Sequence, residues 1–318
     1  MEECKEKRHR IFCVAIYMGL EYNGRRHCFG GRNLKLLYKL MGAAAAAGGL
    51  FLMRSEYERD QLVTEVFEIR SPKIKGDGKR FVFLTDLHDK EFGKENERLL
   101  AAIRDAKPDA VFVGGDMMVA KGVGDLTISL KFLDTLSKEF PIYCANGNHE
   151  LRMCREKKVY GEKYREYRQA LRKMGIVFLS DAHVSIGDDI ELYGLNLLPE
   201  YYEPGYPKMH PGYVKRTLGK ADPDKFTILL AHSPMFFKEY AAWGADLTLS
   251  GHFHGGTIRL PFVGGVMTPQ YQFFFPWCAG LFTGEHGRKL LVGRGLGTHS
   301  INIRFNDKPQ VVVVDIRE

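Results

Sequence analysis

The feature that most limits how this chain can fold is a series of short apolar runs, each stopping at residues able to bind metal. Phe81-Val82-Phe83-Leu84 stops at Thr85-Asp86-Leu87-His88. Residues 110–113 stop at Gly114-Gly115-Asp116, and 141–145 at Asn146-Gly147-Asn148-His149-Glu150. Residues 226–230 stop at Ala231-His232-Ser233-Pro234, and 245–249 at Ser250-Gly251-His252-Phe253-His254. Predominantly apolar runs of this length mark strands buried on both faces. Between the first three lie segments of helical period, 95–106 with Leu99, Leu100 and Ile103 aligned, and 125–139 with Leu126, Leu130, Leu133 and Leu136 aligned. The order strand, helix, strand, helix, strand predicts an α/β fold, and in such sheets ligands gather at the C-terminal strand ends. A helix is predicted at 163–174 and further strands at 63–69, 176–179, 190–193, 288–292 and 310–316. Helices are fewer among these later strands, so that part of the sheet is expected to be antiparallel or mixed.

A chain of 318 residues can bury an ample core in one large domain. Its net charge is +7, but residues 1–40 hold nine basic against four acidic residues, or +5 of that total. The near-neutral remainder gives no case for a broad nucleic-acid-binding face. The six cysteines lack C-x-x-C or zinc-finger spacing and read as unpaired thiols.

Residues 1–55 read as an N-terminal basic and apolar segment, and residues 56–318 as the folded domain. The run at 11–20 is too short to span a bilayer, and so is the uncharged run at 40–53, although Leu34, Leu36, Leu37 and Tyr38 extend it with lysines that can snorkel. A basic flank before a small apolar core fits a signal or signal-anchor. Arg25-Arg26 is a poor match to a twin-arginine signal. An amphipathic or buried Ala-rich helix is the other reading. Insertion would put the N-terminus in the cytosol.

The strand ends deliver Asp86, His88, Asp116, Asn148, His149, His232, His252 and His254. Carboxylate, amide and imidazole donors without thiolates suit Mn, Fe or Zn and argue against a structural zinc site. They are too many for one tetrahedral ion. Two ions sharing a carboxylate, about 3.5–4 Å apart, match the count and suit phosphoryl chemistry.

Asp86-x-His88, Gly115-Asp116, Gly147-Asn148-His149-Glu150, Ala231-His232 and Gly251-His252-x-His254 resemble, in order and spacing, the five signature blocks of the calcineurin-like metallophosphoesterases. Gly255-Gly256-x-Ile258-Arg259-Leu260-Pro261, Arg294-Gly295-Leu296-Gly297 and the apolar N-terminal segment are similar to the bacterial YkuE-, YaeI- and LpxG-type branch. The resemblance implies a four-layer αββα sandwich with mixed sheets around a di-metal site. It implies that Asp86, His88 and His254 hold one ion, Asn148, His232 and His252 the other, and that Asp116 bridges both. His149 would meet the substrate phosphate and protonate the leaving oxygen, Asn148 would also face substrate, and Arg294 is a further candidate phosphate contact. Manganese is the expected metal, with iron or zinc as alternatives. Met117-Met118-Val119 replace the acidic and arginine residues that protein phosphatases carry there, which argues against that activity. Phe253 and Thr257 also depart from the family's usual residues, at positions that are not ligands.

The expected function is hydrolysis of a phosphoester or pyrophosphate bond, on a phosphorylated small molecule or a lipid-linked or nucleotide-sugar substrate. The expected location is membrane-associated through the N-terminal segment, with no specific nucleic-acid binding; an exported or cytoplasmic protein is the alternative. The aromatics Tyr271, Phe273, Phe274, Phe275 and Trp277, with Phe262 and the 201–213 loop, either edge the site and meet lipid or pack a β-rich core. Two rival readings stand: a soluble nuclease or cyclic-nucleotide phosphodiesterase, and a non-catalytic metal-binding scaffold.

Overall fold

The computed structural model describes residues 31–122, 124–298 and 302–318. The run at 11–20, Arg25-Arg26 and Cys4, Cys13 and Cys28 lie outside them. The chain divides into two compact units, one ending at Leu50 and one running from Phe51 to Glu318. That division falls before the boundary expected from sequence at 55/56, because Phe51 stacks on Phe305 and Ser55 accepts a hydrogen bond from the Arg304 backbone. Helix α1 (Gly31–Arg59) carries Lys35 and Lys39 within it, so it is longer than its uncharged run.

The second unit continues with β1 (Val63–Arg70), β2 (Lys79–Leu84), α2 (Glu97–Ala106), β3 (Ala110–Val113), α3 (Thr127–Ser137), β4 (Ile142–Ala145), α4 (Asn148–Arg155), α5 (Lys157–Tyr160), α6 (Lys163–Lys173) and β5 (Val177–Leu179). Then come β6 (Ala182–Ile186), β7 (Ile190–Leu195), α7 (Tyr213–Leu218), β8 (Phe226–Ala231), α8 (Phe237–Trp243) and β9 (Leu247–Ser250). A small hairpin, β10 (Arg259–Leu260) and β11 (Gly264–Gly265), precedes β12 (Gly280–Thr283), β13 (Lys289–Val292) and β14 (Gln310–Arg317). Two six-stranded mixed sheets result, in the orders β1-β14-β2-β3-β4-β5 and β12-β13-β9-β8-β7-β6.

Strand alternation builds the layers. Phe81, Phe83 and Phe112 point to the core between the sheets, where they meet Ile228, Leu230 and Leu249. Val82, Leu84 and Val111 point the other way, onto Leu99, Ile103 and Leu133 of α2 and α3. Leu229 and Ala231 turn from the inter-sheet core toward Tyr240 of α8. Both faces of each central strand are therefore buried, which is why the runs read as predominantly apolar. The strands β2, β3 and β4 are mutually parallel, as are β8 and β9. Their C-terminal ends thus lie on one edge of each sheet, and all the candidate ligands follow them.

Candidate metal centre

Asp86, His88, Asp116, His149, His232, His252 and His254 are all buried together. Asp86, His88 and His254 offer one donor atom each within 4.8 Å of one another, as do Asp116, His232 and His252; His88, Asp116 and His149 form a third, overlapping group. His88 Nε2 lies 3.3 Å from His254 Nε2, and His254 Nε2 lies 3.5 Å from Asp86 Oδ1. His232 Nε2 lies 3.0 Å from Asp116 Oδ2 and 3.7 Å from Asp86 Oδ1. Asn148 Oδ1 is buried without a hydrogen-bond partner. Nitrogen and oxygen donors converging in this way, with Asp116 common to two of the three groups, are consistent with a site for two divalent ions.

Backbone groups orient the donors. His232 Nδ1–H donates to the Gly114 carbonyl at 2.8 Å, and His254 Nδ1 lies 3.3 Å from the Gly297 carbonyl. Each ring is thereby turned with Nε2 toward the carboxylates, the usual outer support of a metal-ligating histidine. The His252 N–H donates to both Asp86 oxygens, and the His149 N–H to Asp116 Oδ1 at 2.8 Å. Asp86, His88, Asp116, His252 and His254 all have left-handed backbones, with φ between 46° and 66°. Such non-glycine conformations cost energy and collect at functional sites. Gly147 faces the Asp116 carboxylate, and any Cβ there would run into it.

Burial opposes ionisation of Asp116, but His232, His149 and His88 overcome it and hold the carboxyl well below its usual range. Asp86 is lowered likewise, burial being outweighed by His254, His232 and His88. Burial opposes protonation of His232, yet Asp116 and Asp86 push its pKa up to about 10. An imidazole that binds a metal must be neutral, so metal binding at His232 would displace this proton. Calorimetric manganese titration near neutral pH, in two buffers of different ionisation enthalpy, is expected to show proton release that His232→Gln lacks. The raised pKa also fixes a sign for the metal-free protein. Stability from this pair is full below about pH 6.5 and is lost as pH rises toward 10. In chelator, wild type should therefore lose more thermal stability than His232→Gln between pH 7 and pH 10. Equal losses would sink the assignment.

Three placements were not legible in the sequence. Glu150 opens α4 with its carboxylate accepting the N–H groups of Asp116, Met117 and Gly147 at 2.9–3.0 Å, which locks the Asp116 loop to the helix that starts with Asn148. Burial and Asp116 raise its pKa to about 7. Tyr202 stands edge-on to His252 with ring centroids 5.0 Å apart, and its hydroxyl is buried without a hydrogen-bond partner. Burial and Asp116 keep that phenol protonated far above its ordinary pKa. Sequence gives no means of telling it from Tyr201, which turns into the core. Arg294, a candidate phosphate contact, is instead spent on the scaffold: its guanidinium donates to Glu65 at 2.6 Å and to the Lys308 carbonyl at 3.0 Å. The structure does not bring it to the cluster.

Two mixed sheets carrying a buried carboxylate–histidine cluster at their parallel strand ends define a metal-dependent phosphoesterase. The calcineurin-like phosphoesterase family matches residues 79–256, more than half of the chain, and the chain belongs to that family. It is similar to the metallophosphoesterase YkuE of Bacillus subtilis, 26% identical over 87% of this chain and 93% of YkuE. It is also similar to the phosphodiesterase YaeI of Escherichia coli, 27% identical over 74% of this chain and 82% of YaeI. A third relative is the UDP-2,3-diacylglucosamine pyrophosphatase LpxG of Chlamydia muridarum, 24% identical over 74% of this chain and 83% of LpxG.

Proposed function

We propose that this chain is a membrane-held di-metal phosphohydrolase that cleaves a phosphoester or pyrophosphate bond of a lipid-linked or nucleotide-sugar substrate. The observation that carries the reading is the pair of donor groups meeting at Asp116, with His149 beside them. When bound, the two divalent ions, manganese first among candidates, supply an acidified water and polarise the phosphoryl oxygens. The chain's own residues do the rest. His149 Nδ1 accepts the Ala120 N–H at 2.7 Å, so the neutral ring carries its proton on Nε2, 4.0 Å from Asp116 Oδ2. That proton is placed to pass to the leaving oxygen. Tyr202, whose phenol burial holds well above its usual pKa, offers a hydrogen-bond donor to a phosphoryl oxygen. Helix α1 over Lys35–Arg59 is long and apolar enough to cross a membrane, which supports tethering there.

LpxG's name makes UDP-2,3-diacylglucosamine the natural substrate to test beside bis-p-nitrophenyl phosphate and its monoester. Chelator should abolish turnover of the diester, and manganese should restore it. His149→Ala should lower kcat by about 10²–10⁴-fold, the span of general acid catalysis. Tyr202→Phe should lower kcat/KM by roughly tenfold or more, as loss of a hydrogen bond to a charged group does. Both variants should keep two bound metals. Two bound metals with no turnover of any of the three substrates would overturn the reading.

A further inference from the structure

Beside the metal centre lies an apolar surface that its chemistry does not use. Leu260, Phe262, Val263, Tyr271, Phe273 and Phe274 are all exposed, Phe262 completely. With Tyr206 they make up seven of the eleven exposed large apolar residues among the described residues beyond α1. Scattered exposed apolar residues need no explanation, but a concentrated group does.

The group is held together by the fold. Three of the six sit on the β10–β11 hairpin. The Phe274 N–H donates to the Val266 carbonyl just after β11, and Met267 bridges to Phe273. The Gly205 N–H donates to the Gln270 carbonyl, and the Gln270 side chain donates to the Glu203 carbonyl at 2.7 Å, which brings in the Tyr206 loop. The surface also grows directly out of the metal centre. Phe275 stacks edge-on against Phe253, between His252 and His254, at 5.2 Å. The Met267 N–H donates to the Gly256 carbonyl.

Two observations choose the occupant. Residues 247–284 contain no aspartate or glutamate, and Arg259 is their one lysine or arginine. A protein-binding surface needs polar groups at its rim, whereas an uncharged tip of phenyl and phenol rings suits the bilayer interface. The hairpin also packs beside the end of α1. The Arg259 N–H donates to the Phe305 carbonyl, Phe305 stacks on Phe51 at 5.0 Å, and Phe51 lies within the helix, Lys35–Arg59, that is long and apolar enough to cross a membrane.

We infer that the 260–263 and 271–274 loops seat in the bilayer interface and hold the metal centre at headgroup level, so that the enzyme draws its phosphorylated substrate from the membrane surface. This deepens the function proposed above and rests on it. The experiment uses the full chain in vesicles of phosphatidylcholine with one quarter phosphatidylglycerol, with and without bromine on the acyl chains near the headgroup. Tryptophan is placed at Phe262 (Phe262→Trp), and as a control at Val177 (Val177→Trp), which is exposed at the start of β5, the strand end away from the metal centre. Brominated lipid should quench Phe262→Trp at least twofold more than Val177→Trp. In a second arm, Phe262→Ser/Phe274→Ser should turn over soluble bis-p-nitrophenyl phosphate as wild type does. It should hydrolyse UDP-2,3-diacylglucosamine carried in the vesicles at least tenfold more slowly. Equal quenching at the two positions overturns the inference, as does a concentration-dependent, lipid-independent blue shift of Phe262→Trp, which would make the patch a self-association surface. Absence of turnover of the diester, its monoester and UDP-2,3-diacylglucosamine by metal-loaded wild type would instead overturn the catalytic reading, with the quenching arm still deciding the membrane contact.

Discussion

Asp116→Ala is expected to leave a folded protein that binds no more than one metal ion and has lost at least about a thousandfold in kcat/KM. Asp116 stands where the two donor groups meet: Oδ2 lies 3.0 Å from His232 Nε2 and 3.9 Å from His88 Nε2. Removing it unseats donors on both sides. Bound metals contribute several kcal/mol of charge stabilisation, and about 1.4 kcal/mol is a factor of ten in rate. The same carboxylate accepts the His149 N–H, so its loss also frees the proposed acid. Asp116→Asn keeps an oxygen for that hydrogen bond but loses the charge. It should stay closer to wild type in thermal stability while matching Asp116→Ala in metal content. Elemental analysis with steady-state assays reads both. Wild-type metal content together with wild-type kcat/KM in Asp116→Ala would rule out the bridging role.

Why so much of the centre was legible follows from the strands. A strand buried on both faces is mostly apolar and carries its charged and imidazole side chains at its ends, so Asp86, Asp116, His232 and His252 are conspicuous at the close of apolar runs. What was hidden depends on turns rather than runs. Helix α4 begins at Asn148, in a stretch whose glycine and asparagines read as a loop, and the Glu150 carboxylate reveals the helix start only through the N–H groups it caps. The aromatics at 271–277 fit a β core by composition, yet Tyr271, Phe273 and Phe274 are exposed. A residue type does not say which side of a loop faces water. The arginines make the same point. Arg294 entered as a candidate through the resemblance, and Arg304, in an unremarkable polar stretch, proves to be among the most buried residues of the domain.

Arg304 carries the largest stability prediction. Its guanidinium donates to the carbonyls of Arg294, Gly295, Gly297 and Asp307 and to the Asp307 carboxylate, while its N–H donates to Ser55 of α1. Gly297 is the residue whose carbonyl also meets His254, and Asp307 lies against Gly255 in the ligand loop. One arginine therefore joins the end of α1, the loop after β13 and the metal-binding loop. Arg304→Ala strands a buried carboxylate and several carbonyls. Breaking such a pair costs about 3–5 kcal/mol. For a domain of this size, that lowers the melting temperature by on the order of 10 °C. The deficit should depend on pH in a definite direction. Burial already pushes the Asp307 pKa up to about 6, against the pull of Arg304 and Arg294. A carboxyl raised in the folded state favours folding below its unfolded pKa, and that benefit is lost as pH climbs through the folded value. Removing Arg304 raises the folded value further, so the variant should lie closer to wild type at pH 5 than at pH 8. Arg304→Lys restores a charge but not the planar fork that reaches several carbonyls at once, and should recover only part of the loss. Thermal unfolding of the three proteins at both pH values is the measurement. A deficit of equal size at pH 5 and pH 8 would show that the missing carbonyl contacts, and not the stranded Asp307 charge, set the cost.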